Sequence, residues 1–597
     1  MSEVTGSSTL LLVVIWPLLL AGAMMFTATR PAALRLAPWA ALPALILAAF
    51  APAPPGISLR LPWLLLGTEV GLPDDTGRLF LLFTALLWWL GGMYARAYLS
   101  EGRGRFFAYF LLSMAGNLGL ILAQDLASFY LFFALMSFAS YGLVVHERTV
   151  EARRAGRVYI VLVLIGEVAL FVAMILATAA AGSTGFDAVR RELVQAESRD
   201  LIMLLAFVGF GIKAGVLGLH VWLPLAHPVA PTPASAVLSG AMIKAGLFGW
   251  LRLLPLGEVA LLEWGQALMF LGLAAAFYGV VVGLTQRDPK TLLAYSSVSQ
   301  MGILTMAVGL GLTAPGAYPA ILTAITVYAL HHGLSKGALF LGVGVVGACS
   351  VAQRRWAWIA LWLPALALAG APLTSGMVAK LLLKAQTASA PDPWASWLPT
   401  LLSSSAVATA LLVGRFLFLM AQPGAGASRK SSPAGLVWPW ALLVTASLLL
   451  PWWSGAESPS LWSQDVIIAS LWPVLLGAVL VLAAVLRSVY LAKQPGALST
   501  GDERVTAAHS TPGIPPGDML VPISHALALT LTHGHHLADV ELSRWRDACL
   551  ASLRRRWSNV DWLRMLERIE FGLNSWRTVL TVFLLLGLVV AWWGGNG

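Results

Sequence analysis

The sequence predicts an all-α polytopic membrane protein with about 14–16 transmembrane helices. Of its 597 residues, 58% are hydrophobic and only 11% are charged, whereas a soluble globular protein has about 25% charged residues. Apolar runs of about 20 residues, the length that crosses a bilayer, recur along the whole chain. Together these observations exclude a soluble enzyme, a disordered chain and a fibrous protein.

The predicted spans follow one another with mostly short connections, and most charged residues lie in those connections. Each span is long enough to cross the hydrocarbon core as a helix. They lie at about 8–27, 33–53, 78–98, 106–124, 126–145, 157–181, 200–229, 234–256, 258–284, 292–313, 318–347, 357–383, 396–421, 437–454, 466–491 and 577–594.

One long polar stretch, 492–576, interrupts this pattern near the C-terminus. It begins as a linker rich in Pro, Gly, Ser and Thr, and from about Ala538 it alternates Arg with Trp, Leu and Ile. Arg and Trp on one helix suit the membrane interface, so the second part predicts an amphipathic lateral helix. That helix is either a solvated connection or a strut that binds a partner. Residues 577–597 are predicted to form a terminal anchor helix.

The basic residues of the connections predict the orientation of the chain. If the N-terminus lies outside, the inside connections hold most of these residues, including Arg148, Arg153, Arg154 and Arg157 in a single connection. Positive charge favours the cytoplasmic side of a membrane. The sequence therefore predicts an outside N-terminus and a cytoplasmic position for 492–576. Topology also accounts for the net charge of +10, so nucleic-acid binding is not predicted.

Lysine and arginine are distributed differently along the chain. Nearly all Arg lie in connections, whereas five of the eight Lys lie in or beside apolar segments: Lys213, Lys244, Lys336, Lys380 and Lys384. A buried Lys can release its proton, whereas Arg stays charged. The distribution indicates titratable groups at membrane depth. The alternative is Lys side chains near helix ends that extend to the membrane surface.

Two apolar segments are interrupted by Gly, Pro and a Lys, which predicts two broken helices. The first contains Lys213, His220, Pro224 and His227, and the second contains Pro372, Gly376 and Lys380. Broken helices in two halves of a chain are typical of transport sites built from internal repeats. Non-helical backbone at membrane depth needs a lining of protein or water.

Further polar residues lie at membrane depth between and before these breaks. Ordered along the chain, the series reads Glu167, Lys213, Lys244, His332, Lys336 and Lys380. His332 and Lys336 share a helix face because they are four residues apart. Five basic groups cannot all be neutralised by one carboxylate, so some should be uncharged part of the time, as a proton relay requires. The alternative is a set of structural salt bridges.

Two weak motifs and the cysteine count give no cofactor or metal site. Gly342, Gly344 and Gly347 have dinucleotide-motif spacing but lie in an apolar helix, where close helix packing explains them better. His533, His535 and His536 lack further ligands and read as a polar turn. Two Cys are too few for an iron–sulfur cluster or a thiolate zinc site, since each needs about four ligands. We predict no cofactor, no metal and no catalytic residue in this chain.

Three long motifs carry a family resemblance. The segments beginning His220-Val-Trp-Leu-Pro, Lys290-Thr-Leu-Leu-Ala-Tyr and His332-Gly-Leu-Ser-Lys resemble signatures of the antiporter-like membrane subunits of respiratory complex I. The same signatures occur in Mrp-type antiporters and membrane-bound hydrogenases. The similarity covers about residues 106–420, and the 492–576 stretch with its anchor is similar to the lateral helix of the family's largest subunit type.

The resemblance implies two inverted five-helix repeats, each with a broken helix, and proton movement along a central polar axis. It divides the chain into N-terminal helices (1–105), a first repeat (106–256), a second repeat (257–421) and C-terminal helices (422–491), followed by 492–576 and 577–597. Lys213, Lys244, Lys336 and Lys380 fall on the family's basic positions.

The function implied is that of a proton-translocating subunit of an energy-converting oxidoreductase in an energy-conserving inner (cytoplasmic) membrane. NADH:quinone oxidoreductase-like and hydrogenase-like complexes both fit. The chain would hold no redox centre itself, and its partners would be other membrane subunits and redox subunits with Fe–S clusters. Alternatives are an Mrp-type cation/proton antiporter or ion-coupled uptake subunit without redox chemistry, and a structural scaffold with an inactive channel. The transported ion is either H⁺ or Na⁺.

One residue departs from the family pattern. The helix that begins at Asp125-Leu usually carries a Glu that pairs with the Lys of the first broken helix, and Ala134 stands where that Glu is expected. We predict that Glu167 on the following helix replaces it; the alternative is an altered or silent channel. Because an unpaired carboxylate in lipid is costly, Glu167 should face the bundle interior, toward Lys213 or Lys244.

Overall fold

The computed structural model describes residues 2–50, 58–61, 67–71, 74–422, 433–455, 463–492 and 514. Every structural statement below concerns these residues. The predicted linker, the lateral helix and the terminal anchor (577–597), as well as the cluster at His533, lie outside them, apart from Ala492 and Ile514.

The N-terminal part consists of helices joined by a small hairpin. Helix α1 spans Ser2–Ala23, and α2 (Arg30–Leu36), a short 3₁₀ turn (Ala37–Trp39) and α3 (Leu42–Phe50) together form the next segment. Strands β1 (Ser58–Leu61) and β2 (Thr68–Gly71) pair antiparallel. The hairpin is fixed to the turn before α6, because the Glu69 amide donates to Asp125 Oδ2 at 3.0 Å and to Ser128 Oγ at 2.9 Å.

The first half of the bundle follows. It comprises α4 (Asp75–Tyr98), α5 (Arg103–Leu122), α6 (Leu126–Val144), α7 (Val150–Ala181), α8 (Phe186–Leu193), α9 (Arg199–Ala214), α10 (Trp222–Val229), α11 (Thr232–Val237), a π turn (Leu238–Met242) and α12 (Ile243–Leu253). Asp74 caps α4 and its carboxylate also pairs with Arg252 at the end of α12 (2.9 Å), which ties α4 to this half.

The second half and the C-terminal helices complete the described chain. They are α13 (Leu262–Thr285), α14 (Pro289–Thr313), a 3₁₀ turn (Pro315–Ala317), α15 (Tyr318–Ala348), α16 (Val351–Ala369), α17 (Ser375–Ala385), a 3₁₀ turn (Gln386–Ser389), α18 (Trp394–Ala421), α19 (Pro433–Gly455) and α20 (Gln464–Ala492).

Eleven helical segments within the described ranges are long and apolar enough to cross a membrane. They differ in how much of each is covered by protein. The apolar 18-residue stretches within Thr232–Leu253 and Pro289–Thr313 are completely buried, whereas those within Val150–Ala181 and Val466–Ala484 are 39% and 17% buried. Helices α11, α12 and α14 therefore form the interior of the bundle, and α7 and α20 lie at its edge.

Close approach of small residues joins some helices of the interior. A Cβ atom on Gly272 of α13 would lie 2.5 Å from the carbonyl oxygen of Gly302 on α14, and a Cβ on Gly302 would meet the Gly272 oxygen at the same distance. Only glycine allows the two backbones to touch at this point. The α13–α14 contact holds α14, which carries several polar side chains, against one wall of the bundle.

The predicted all-α membrane fold is confirmed, with one local exception. The hairpin at β1 and β2 was not predicted, because four-residue strands at a membrane connection have too few residues to show alternation. The fifteen spans predicted before residue 492 each correspond to helical segments in the structure, some of them divided by a break. The inverted symmetry of the two repeats stays a prediction.

Candidate functional site

The first predicted break lies between α9 and α10. Helix α9 ends at Ala214, Gly215 adopts a left-handed conformation (φ 77°), and α10 resumes at Trp222. The indole Nε1 of Trp222 donates to the carbonyl oxygen of Ile212 at 2.7 Å and so satisfies one carbonyl at the open end of α9. This break places Lys213 in the last turn of α9, with 2% of its surface exposed.

The Lys213 amine lies among hydroxyl groups and aromatic rings. Its Nζ donates to Tyr159 Oη at 3.0 Å and lies 3.4 Å from Ser140 Oγ. It is 5.4 Å from the centre of the Tyr159 ring and 6.0 Å from that of Trp222. Serine and tyrosine hydroxyls thus occupy the immediate surroundings of this lysine, where the family resemblance led us to expect a carboxylate.

Glu167 faces the interior of the bundle, where the sequence analysis placed it. It is 5% exposed and lies close enough to Lys213 for the two charges to interact. The pair is not in contact, however, because the described residues contain no ion pair within 4.0 Å that involves either side chain. The Oε2 atom of Glu167 has no hydrogen-bond partner among the described residues.

Lys244 is positioned by a widened turn in the helix between α11 and α12. The π turn Leu238–Met242 precedes it, and its Nζ donates to the carbonyl oxygen of Ser239 at 2.6 Å. An α-helix would use that carbonyl in its own ladder, whereas a π turn changes the pattern and is frequent at functional sites. The lysine is completely enclosed by protein and its contact is to backbone, and within the described part of the chain no acidic side chain forms an ion pair with it.

A pair of serine hydroxyls links the surroundings of Lys244 and Lys336. Ser239 Oγ and Ser297 Oγ of α14 lie 2.7 Å apart, and Ser297 Oγ donates to the carbonyl oxygen of Leu293 at 3.1 Å. The Nζ of Lys336, on α15, donates to the same Leu293 oxygen at 2.6 Å. The two lysines therefore end on either side of one hydroxyl pair in the completely buried part of the bundle.

The two adjacent histidines of α15 face different neighbours. His332 shares the face of Lys336, and neither of its ring nitrogens has a hydrogen-bond partner among the described residues. His331 Nδ1 lies 2.8 Å from Ser375 Oγ, at the first residue of α17. The sequence analysis assigned only His332, because consecutive residues point about 100° apart on a helix and nothing in the sequence shows that α17 lies on the His331 side.

The second predicted break separates α16 from α17. Gly370 is left-handed (φ 87°), Pro372 lies in the connection, and α17 begins at Ser375. Lys380 reaches back across the break, and its Nζ donates to the carbonyl oxygen of Ala369 at 2.7 Å. The end of a helix carries partial negative charge, which favours a cation there.

Gly376 allows the two parts of the second break to pack. A Cβ atom at this position would lie 1.8 Å from the backbone oxygen of Ala367. No side chain fits at such a distance, so the predicted structural role of Gly376 has a specific geometric basis.

The remaining residues predicted at the first break are buried in its packing. The ring of His220 lies 5.3 Å from that of Tyr278, and His227 stacks on Phe340 with 4.5 Å between ring centres. Pro224 lies in α10 and is buried as well. These three residues fill the space around the break, and no contact to a site lysine is found for His227 or Pro224 in the described chain.

A cavity that sequence reasoning did not find lies beside Lys380. It has a volume of about 70 Å³, and its lining includes Lys380, Lys384, Tyr328 and Ser403. Lys384 Nζ donates to Ser403 Oγ at 3.0 Å. A cavity of this size can hold water at the last lysine of the series.

The chain matches the family model described as NADH:quinone oxidoreductase/Mrp antiporter, transmembrane, over residues 123–404. It is 34% identical over 285 residues to hydrogenase-4 component B of Escherichia coli, a match that covers 46% of this chain and 42% of that protein. The chain therefore spans less than half the length of this curated relative.

Two solved structures have the same fold. A chain of respiratory complex I from Thermus thermophilus with bound NADH superposes with a TM-score of 0.62 at 25% identity, over 78% of this chain and 99% of that chain. A chain of the Mrp complex from Dietzia sp. superposes with a TM-score of 0.67 at 23% identity, over 91% of this chain and 62% of that chain. The likeness to the Mrp chain is one of fold alone.

The matched region contains both breaks and all six residues of the predicted series, Glu167, Lys213, Lys244, His332, Lys336 and Lys380. With the membrane-spanning fold described above, these matches show that residues 123–404 are similar to the NADH:quinone oxidoreductase/Mrp antiporter family and that the chain has the fold of an antiporter-like integral membrane subunit.

Proposed function

We propose that this chain moves protons across an energy-conserving membrane as one subunit of a larger oxidoreductase complex. The relay residues are Glu167, Lys213, Lys244, His332, Lys336 and Lys380. The chain holds no redox centre in this proposal, and partner subunits with Fe–S clusters carry out the electron transfer, in a complex similar to NADH:quinone oxidoreductase or to a membrane-bound hydrogenase.

The observation that carries the proposal is the link between Lys244 and Lys336. Each amine binds a backbone oxygen beside the Ser239–Ser297 hydroxyl pair, and all four residues are buried. Hydroxyl groups both donate and accept hydrogen bonds, so a small side-chain movement brings either lysine to a group that can receive its proton. A lysine without an acidic partner at membrane depth is costly to keep charged, which favours transfer onward.

The rest of the series extends this central link in both directions. On one side, Lys213 and Glu167 lie at the first break. On the other side, His332 shares a face with Lys336, and Lys380 borders the cavity of about 70 Å³. We infer that protons enter and leave through water at the ends of this series and pass between the lysines in its middle.

The test removes one hydroxyl of the central link from the assembled complex. The complex is purified through a tag on this chain and reconstituted in proteoliposomes, and proton movement driven by an imposed K⁺ diffusion potential is followed with an internal pH-sensitive dye. Ser297→Ala should slow proton movement about tenfold, equivalent to about 1.4 kcal/mol in the barrier. Unchanged movement in that variant would remove the central link from the pathway.

Thr305→Val provides the matched control. Thr305 lies on the same helix as Ser297 and is equally buried, but its hydroxyl donates only to the Met301 carbonyl of its own helix at 2.9 Å. This variant should transport protons as the wild type does. If both variants slow proton transport equally, the loss comes from a less stable α14, and the Ser239–Ser297 hydroxyl pair is not part of the pathway.

Measurements of pH change in the same proteoliposomes distinguish this proposal from its alternatives. An Mrp-type antiporter would move protons against Na⁺ or another cation without electron transfer, so an imposed cation gradient would drive pH changes in place of the membrane potential. A structural scaffold would move no protons under either gradient. The scaffold alternative is supported by Ala134, which stands where the family resemblance implies a Glu.

The distribution of basic residues and the long polar stretch support a proposal for the orientation of the chain and for its binding to partners. We propose that the N-terminus lies outside and that 492–576 lies on the cytoplasmic side, where it binds other membrane subunits. Deleting residues 538–594 should then release partner subunits while the helical bundle stays in the membrane. Mass spectrometry of the purified complex would measure this, and a truncated chain that retains every partner would refute the strut.

A further inference from the structure

The surroundings of Lys213 differ from those of the other buried lysines. Lys244, Lys336 and Lys380 each donate to a backbone carbonyl oxygen. Lys213 is held by two side-chain hydroxyls, Tyr159 Oη at 3.0 Å and Ser140 Oγ at 3.4 Å. The amine is therefore positioned by side-chain groups, which substitution can remove, whereas a backbone carbonyl cannot be removed in this way.

These two hydroxyls are themselves fixed by the backbone of α6. Tyr159 Oη donates to the carbonyl oxygen of Ser137 at 2.8 Å, and Ser140 Oγ lies 2.9 Å from the same oxygen. The hydroxyls also contact each other at 2.5 Å. Because α6 holds both groups, they form a rigid support for the lysine on one side.

Glu167 attracts Lys213 but does not reach it. The two side chains are both buried and interact electrostatically, yet no ion pair within 4.0 Å joins them in the described chain. The amine is held instead by its hydrogen bonds to Tyr159 Oη and Ser140 Oγ.

We propose that Tyr159, together with Ser140, is the positioning residue of Lys213 and keeps its amine out of an ion pair with Glu167. This inference rests on the proposed function, since it assigns a role within the same pathway. The two hydroxyls accept hydrogen bonds from the amine at the place where the family resemblance implies a carboxylate. Glu167 interacts with Lys213 electrostatically, without contact. A closed ion pair would fix the proton on Lys213, whereas the open arrangement leaves the amine able to release it.

The first test is structural and does not depend on transport. The variant Tyr159→Phe/Ser140→Ala removes both hydroxyls and keeps the phenyl ring. In the whole complex, cryo-electron microscopy should show Lys213 Nζ within 4 Å of a Glu167 carboxylate oxygen in this variant. An Nζ that stays in its original position, or that turns to another partner, would overturn the proposal.

Tyr94→Phe is the matched control for the loss of a buried tyrosine hydroxyl. Tyr94 is fully buried on α4, and its Oη donates to the Leu341 carbonyl oxygen at 3.0 Å, with no hydrogen bond to Lys213 or Glu167 among the described residues. This variant should leave the Lys213–Glu167 separation and proton transport at wild-type values. It controls for a general loosening of the bundle.

The second test asks whether the hydroxyls act through Glu167. Proton movement in proteoliposomes should fall about tenfold in Tyr159→Phe/Ser140→Ala. The triple variant that also carries Glu167→Gln should transport protons at the same rate as Glu167→Gln alone, because the effects of residues that act through one another are non-additive. Losses that multiply would contradict the positioning role. If wild-type vesicles move no protons, the proposed function fails, while the Nζ–Oε distance still decides this inference.

Discussion

The Nζ atom of Lys244 lies 2.6 Å from the carbonyl oxygen of Ser239, five residues earlier in the same helical segment. Ser239 lies within the π turn Leu238–Met242, where the backbone departs from the regular α-helical hydrogen-bond pattern. The lysine is thus held by its own backbone, and the hydroxyl of the same serine faces Ser297 on α14. One residue therefore supplies both the anchor for Lys244 and the first group on the way to Lys336.

Lys213→Arg should abolish proton transport and leave the complex assembled. Arg keeps its charge at any accessible pH, whereas Lys can release its proton. A guanidinium would also find only two hydroxyl acceptors for its five donors. Transport in proteoliposomes and co-purification of partner subunits measure the two outcomes.

Lys384→Arg is the comparison for this change. Lys384 is half-buried, lines the cavity beside Lys380 and donates to Ser403 Oγ, but it is not one of the six relay residues, and an Arg there keeps the charge at the cavity wall. We expect transport in this variant to stay near the wild-type rate. Normal transport by Lys213→Arg would exclude Lys213 as a group that must give up its proton.

Gly376→Ala should destabilise the second break. The added Cβ would overlap the Ala367 backbone oxygen, at 1.8 Å, and backbone at a helix break cannot move aside as a flexible side chain can. Overpacking of this kind costs about 1–3 kcal/mol or more. Thermal unfolding in detergent, followed by tryptophan fluorescence, should show a lower apparent Tm.

Gly316→Ala is the control for Gly376→Ala. No atom lies within 4 Å of a Cβ built at Gly316, and its backbone conformation needs no glycine. Its apparent Tm should match that of the wild type. Equal values for all three proteins would show that α16 and α17 separate easily, contrary to the close contact in the structure.

The sequence was sufficient to predict the two helix breaks and the lysines at membrane depth but not the contacts between them. Lysines in apolar segments and glycines beside prolines stand out by composition alone, so Lys213, Lys380 and both breaks were predictable. Ser239 and Ser297 are two of many serines, and their contact joins residues 58 positions apart. The same holds for His331 and Ser375, which are 44 positions apart. Hydrogen bonds between helices depend on tertiary packing, which hydrophobic periodicity does not encode.

His146, outside the spanning part of α6, predicts a specific pH dependence of stability. Burial, together with the positive charges of nearby Arg105 and Arg148, lowers the pKa of this imidazole from about 6.5 to about 4. As the pH falls below about 6.5, the unfolded chain binds a proton here and the folded chain does not, so stability decreases until about pH 4. By pH 5 the loss should be on the order of 2 kcal/mol.

The comparison of wild type with His146→Asn isolates this group from the carboxylates that titrate in the same range. The variant is expected to be less stable at pH 7.5, because Asn fills less of the space beside Phe106. Between pH 7.5 and pH 5, however, the wild type should lose more apparent thermal stability than the variant. Parallel curves for the two proteins would mean that the His146 imidazole is protonated in the folded chain.

Glu167→Gln should reduce proton transport strongly. Glu167 is a buried carboxylate that interacts electrostatically with Lys213. An amide of the same shape removes the charge and leaves the packing of α7 unchanged, so the field that helps Lys213 take up a proton is lost. We expect a loss of about tenfold or more in proteoliposomes, with the complex still assembled.

Adding Ala134→Glu to Glu167→Gln should restore part of this transport. Ala134 lies on α6, one turn before Ser137, whose carbonyl oxygen accepts the hydrogen bond from Tyr159. Because Ala134 is partly exposed, a longer side chain has room at this position. A carboxylate there would act on Lys213 from α6, as the family pattern implies.

Restored transport would mean that the chain needs one negative charge near Lys213 and tolerates either helix as its source. If the double variant transports no better than Glu167→Gln, the position of Glu167 on α7 is itself required, and the change at Ala134 marks a rerouted pathway.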